Sequence, residues 1–181
     1  RAGKPGLRFD LATIGVMQAA CLAAGIWIVH AERPLAIVYV DGSFYSVSAQ
    51  SFIEAGVSVP NLDALPGNYP KWVSVDLPRD YEEQSKLRGA MLGQDRMLAT
   101  LSDRYIPFSP EQIDRSEARS PEEIIDRDRD AAASPQWLEK HGGDIGDYRY
   151  YPFGARYAFA YLGFDASDGR FVGYLKTPAP R

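Results

Sequence analysis

Residues Leu11 to Val29 read LATIGVMQAACLAAGIWIV and constrain the fold of this chain more than any other stretch. They carry no charge, and Gln18 is their only strongly polar member. At ~1.5 Å per residue, a helix of this length nearly covers the ~30 Å hydrocarbon core of a bilayer. Arg1, Lys4 and Arg8 precede it, while Trp27 and His30 sit at its far end, where interfacial aromatics gather. The cations in front predict a cytoplasmic N-terminus and a remainder on the opposite side. The expected division is a cytoplasmic turn over 1–10, a transmembrane helix over 11–30 and an outer domain over 31–181.

Three other readings of the stretch meet obstacles. A helix packed on a soluble domain usually keeps a polar face, and here the apolar character runs all the way round over about five turns. A secretory signal peptide fits the basic start and Val29-His30-Ala31, but its apolar core is usually only ~7–15 residues long. The N-terminal helix of a pilin needs a glutamate near its start, and Gly6 is followed by Leu7, Arg8, Phe9 and Asp10. A membrane span is the reading that remains. Because Arg1 stands where a Met would begin a chain, further residues and further spans are expected before it.

Charge narrows the class of partner. The chain of 181 residues has 20 basic and 24 acidic side chains. Without Arg1, Lys4, Arg8 and Asp10, the outer part keeps 17 basic and 23 acidic residues, a net charge of −6. With no basic run outside the N-terminus, it is a poor match for nucleic acid or for an anionic lipid surface. The one cysteine, Cys21, lies inside the span, so the outer domain has neither disulfide nor thiol chemistry. The roughly 150 residues beyond the span suffice for one domain with its own core.

The outer domain reads as α+β. Arg33-Pro34 ends the helix, since a residue before proline avoids helical geometry. Leu35–Val40 is a continuous apolar, β-branched run expected to be a buried strand. Asp41-Gly42 is a tight-turn signal, and Phe44, Tyr45 and Val47 continue as the returning strand. Ser48 to Ala55 reads as a short helix stopped by Gly56. Lys71–Leu77 follows a loop rich in Pro, Gly and Asn and reads as a strand. Asp80 to Ser102 reads as one amphipathic helix, weakened by Gly89 and Gly93. Ser109-Pro-Glu-Gln112 and Ser120-Pro-Glu-Glu123 carry helix-start signatures, so Glu111–Asp130 is expected to be an exposed helical excursion. A further short helix is expected over Pro135–Lys140. A terminal hairpin joins Arg156–Phe164 to Phe171–Leu175 through Asp165–Gly169. The expected architecture is an antiparallel sheet built from the N-terminal and C-terminal hairpins, with helices inserted between them.

Signs of catalysis or metal binding are sparse. His30 and His141 have no cysteine, histidine or carboxylate at metal-ligand spacing. Nucleophile elbow, P-loop and dinucleotide fingerprints are absent. Asp126–Asp130 alternates with arginine and reads as a solvated face of local ion pairs rather than a cation site. Gly142–Asp147 holds turn glycines and two carboxylates, Asp144 and Asp147, and reads first as a loop. A membrane enzyme would need a convergent carboxylate or histidine site, and only these two residues offer one. The chain is therefore read as a non-enzyme with no cofactor. Tyr157, Phe159 and Tyr161 alternate along one face of a strand, consistent with sheet packing or with a surface for sugar or peptide.

The run Lys4-Pro-Gly-Leu-Arg-Phe-Asp-Leu11, the span with Gln18 and Gly25, Ala31-Glu-Arg33-Pro34 and the strand after it resemble type IV pilin accessory proteins of the TfpX/TfpZ type. Tyr151-Pro-Phe153, Ala155-Arg156, Asp165, Asp168-Gly169 and Phe171-Val172 extend that resemblance to the C-terminal part. It is weak through Pro60–Lys140, and where the family's entry loop usually carries more lysine, Arg8 alone follows Gly6. The resemblance implies an inner-membrane protein with several spans and a C-terminal periplasmic domain. The implied task is chaperone-like assistance to the assembly or stability of one cognate type IV pilin. The alternatives are a structural or sensory domain of an envelope complex and a membrane enzyme that modifies pilin. For a partner helix in lipid, Gly15, Ala19, Ala20, Ala23, Ala24 and Gly25 permit close approach. Ala20 and Ala24 are the candidate contacts there, with Arg33 at the lipid surface and Tyr157, Phe159 and Tyr161 on the outer domain.

Overall fold

A computed structural model describes residues 7–120, 123–124, 145–156 and 158–176. Helix α1, Leu7–Ala31, is followed almost at once by strand β1, Pro34–Val40. Its stretch Phe9–Ala31 has a mean hydropathy of 1.8 and is long and apolar enough to cross a membrane. Residues 9–30 are all exposed among the described residues.

β1 turns through Asp41 and Gly42, whose φ angles of 52° and 70° are the left-handed pair that a two-residue hairpin needs. β2, Ser43–Ser48, returns and leads into α2, Ala49–Glu54. Ser48 caps α2 by accepting from the Ser51 N–H, and Gly56 follows its end at φ 70°. β3, Lys71–Val75, then pairs with β1, and α3, Tyr81–Gly93, follows. β4, Tyr105–Pro107, lines the edge. The last three strands are β5, Tyr148–Ala155; β6, Ala158–Asp165; and β7, Phe171–Lys176. All seven form one sheet in the order β4-β3-β1-β2-β5-β6-β7.

The α+β expectation holds, with changes in detail. The sheet is mostly antiparallel, but β1 runs parallel to β3 and β2 runs parallel to β5. Parallel neighbours need a crossover. For β1 to β3 it includes α2 and the loop after it. The helix expected over Asp80–Ser102 ends at Gly93 instead. Asp95 takes φ 52°, and a single 3-10 turn at Leu98–Thr100 follows. That break turns the chain so that Ala99 and Leu101 join Met91 in the core.

The helical excursion is not formed over residues 111–120. Pro110–Gln112 and Arg115–Glu117 make only single 3-10 turns. Short caps start these turns, and Ile113 then drops into the core and ends the first one. The reciprocal bonds between Ser120 and Glu123 do form, at 3.2 Å each. Pro135–Lys140, Asp126–Asp130, His141, Asp144 and Tyr157 lie outside the described residues.

The two faces of the sheet pack differently. One face carries two separate cores. The first, across β1–β3, includes Ala36, Val38, Val47, Val73 and Phe52 of α2. The second, across β5–β7, includes Tyr148, Tyr150, Tyr161 and Leu175 under Ile124. The other face has one core that reaches from β1 to β6: Tyr39, Phe44, Tyr151, Leu162 and Phe164, closed by Ile113. Phe44 is its centre, with ring centroids 4.9 Å from Tyr39, 5.3 Å from Phe164 and 5.6 Å from Phe108.

Candidate functional site

The end of the sheet joined to α1 holds the first candidate contact surface. The apolar side chains of α1 are outward, including Ile14, Met17, Leu22 and Trp27. Ala20 and Ala24 are exposed among them. Arg33 is exposed at the helix exit and makes no ion pair within the described residues.

Beside it, Arg156 joins three parts of the chain. Its Nη1 and Nη2 donate to the Glu54 carboxylate at 2.9 and 2.7 Å, a bidentate pair at the end of α2. Nη1 also lies 3.4 Å from Glu32, one residue beyond α1. Arg156 itself follows β5. The hydrogen bonds from Arg156, and then one from Gln50, hold the Glu54 carboxyl below its ordinary 4.5. Planar two-point binding of a carboxylate is the geometry that arginine supplies and lysine does not.

The aromatic strand residues are placed differently from one another. Tyr161 is buried and packs against Phe159, centroids 5.3 Å apart. Phe159 is half-buried over that core. Tyr161 therefore acts in packing, and Phe159 offers only part of its ring to the outside.

The far end of the sheet, about 20 Å from the helix for a seven-residue strand, holds features absent from the sequence reading. Residues 105–120 lace across it. Phe108 N–H donates to the Trp72 carbonyl at 3.1 Å, and Arg119 N–H to Tyr150 at 2.7 Å. The Asp114 N–H donates to the Tyr39 hydroxyl at 3.0 Å, and Ser74 Oγ to Gln112 Oε1 at 2.8 Å. Glu117 passes so close over Gly42 that a Cβ there would lie 2.7 Å from its own.

Two cavities open beside this lacing. The larger, of about 450 Å³, lies among Asp41, Asp76, Asp114 and Glu117. Asp41 is occupied by Arg88 Nη2 at 2.7 Å. The smaller, of about 80 Å³, includes Arg115, Arg149, Tyr151 and Phe164 in its wall. No signal in the sequence marks either cavity, because the residues come from strands and turns far apart in the chain. Among the described residues, no three His, Cys, Asp or Glu side chains are grouped to hold a metal ion. Asp147 packs its backbone carbonyl on the Ala166 N–H at 2.9 Å, beside the turn that joins β6 to β7.

No family model, no curated protein and no solved structure matches this chain.

Proposed function

We propose that this chain is a membrane-anchored accessory protein that assists a cognate type IV pilin through protein–protein contacts rather than catalysis. In this reading α1 crosses the bacterial inner membrane and the sheet domain stands in the periplasm. The observation that carries it is the exposure of α1 along residues 9–30. An apolar helix left uncovered by its own domain demands lipid or another helix around it. With a sheet beginning within three residues of the helix, one partner can meet the chain both in the membrane and outside it. The sequence resemblance supplies the choice of pilin as that partner.

The test is a crosslinking capture from native membranes, with a tag after Arg181 and mass spectrometry of what is recovered. A pilin should dominate the capture. Replacing Ala20 and Ala24 together by Leu should lower its recovery about tenfold, the factor for a loss of ~1.4 kcal/mol in close helix packing. Recovery of sugar-transfer or lipid-carrier enzymes without pilin would overturn the reading. The far-end cavities favour a second reading, a structural or sensory domain of an envelope complex, which capture of other envelope proteins would support.

A further inference from the structure

We infer that Arg115, Arg149 and Tyr151 form a binding site for a single small oxyanion, a carboxylate or phosphate group. The site lies at the far end of the sheet, in the cavity of about 80 Å³. Arg149 and Tyr151 are two residues apart on β5 and so point to the same face of the sheet. Arg115 comes over them from the 3-10 turn at Arg115–Glu117.

Arg149 carries the argument. Its Nε is buried and has no hydrogen-bond partner. Buried polar atoms in folded proteins are nearly always satisfied, and an orphan one points to a missing water or ion. Neither Arg149 nor Arg115 forms an ion pair within the described residues. Both guanidinium charges act on the Tyr151 hydroxyl, which burial nonetheless pushes up and keeps protonated as a donor. The two guanidinium groups offer donors only and the phenol can add another, the pattern that oxyanions take.

Three carboxylates also line the cavity, Glu111, Asp165 and Asp168. Two of them are engaged by their own turn. Asp165 accepts from Ser167 N–H at 2.8 Å and Ser167 Oγ at 2.5 Å, and Asp168 accepts from Arg170 N–H at 2.8 Å. They leave the Arg149 donor open and limit the ligand to one compact group. The volume is well below the ~300–1,000 Å³ of ordinary small-molecule pockets, which excludes sugars and nucleotides as whole ligands. Distance from α1 excludes the head groups of a bilayer that α1 crosses, so the oxyanion comes from a free ion or from a carboxylate of a protein partner.

The test uses the full chain in detergent, with inorganic phosphate, acetate and chloride at matched ionic strength. The readout is the ¹H–¹⁵N resonance of Arg149 Nε. Phosphate or acetate should shift it saturably, chloride should not, and Arg115→Gln should weaken the response about tenfold or more. Saturation by phosphate alone identifies a free ion as the source, and saturation by acetate identifies a carboxylate. Equal responses to all three salts would overturn the site, as would an unchanged response in Arg115→Gln. Melting curves with phosphate give a second readout, because a ligand that binds only the folded state raises the midpoint. That rise should vanish in Arg149→Gln, and its survival there would equally overturn the site.

Discussion

The two faces of the sheet solve one packing problem in opposite ways. On the face covered by α2 and α3, the core divides into a largely aliphatic part over β1–β3 and a tyrosine-rich part over β5–β7. On the other face, a single aromatic cluster spans the line between those halves. That line is thin in hydrogen-bonding terms. β2 and β5 pair only at Phe44 with Phe153 and at Tyr45 with Gly154. Large rings reach across a sparsely paired seam where branched aliphatic side chains do not, and among the described residues they do so without a regular helix to cover them. The difference teaches that the aromatic face holds the halves together, while the other face stabilises each half separately.

Phe44→Ala tests that contrast most severely. It should cost about 3–5 kcal/mol and also uncouple the halves. Hydrogen exchange should then show β5–β7 amides opening before those of β1 and β3. Val73→Ala on the other face should cost about 2 kcal/mol and leave one cooperative transition in chemical denaturation. Equal loss of cooperativity in both variants would break the contrast.

A smaller effect is expected at the lacing across the far end. Gln112 Oε1 accepts from both Ser74 Oγ and Ser109 N–H, each at 2.8 Å. Gln112→Ala leaves the buried Ser74 hydroxyl without that acceptor and should cost about 1–2 kcal/mol, read from the denaturation midpoint. A neutral result would show that the lacing rests on its apolar residues, Phe108 and Ile113, alone.

The smallest effect concerns acid. Glu54 has its carboxyl pKa lowered in the folded state, so its contribution is present above the ordinary 4.5 and is lost as pH falls through the lower, folded value. The arginine stays charged throughout. On acidification from neutral pH to below that range, the parent should lose more melting temperature than Glu54→Gln. Parallel losses in the two proteins would show that this ion pair adds nothing across the seam.

The first hairpin was legible because each local signal agreed. The LAIVYV run, a two-residue turn and a serine cap point to β1, β2 and α2 in succession. β5 was not legible as a strand. Pro152 and Gly154 interrupt YRYYPFGA and imitate a loop. The sheet tolerates them because β2 bonds only beyond Pro152, and the Tyr45 ring lies 3.4 Å from where a Gly154 Cβ would be. Alternation in β6 separated Tyr161 from Leu162 correctly, but it does not reveal that both sides are covered. Lys71 shows a different limit. It is buried, donates to the Leu65 and Gly67 carbonyls at 2.7 and 2.5 Å, and so ties the preceding loop to the core. Those acceptors are backbone atoms, which no residue pattern displays.

Arg156 has a mechanical consequence. Its guanidinium ties the last turn before the sheet, through Glu32, to α2, through Glu54, from a position at the end of β5. The 3.4 Å contact with Glu32 thereby places the exit of α1 against the end of β5. The clasp sets the root of the rod beside the seam where the two halves of the sheet are most thinly joined.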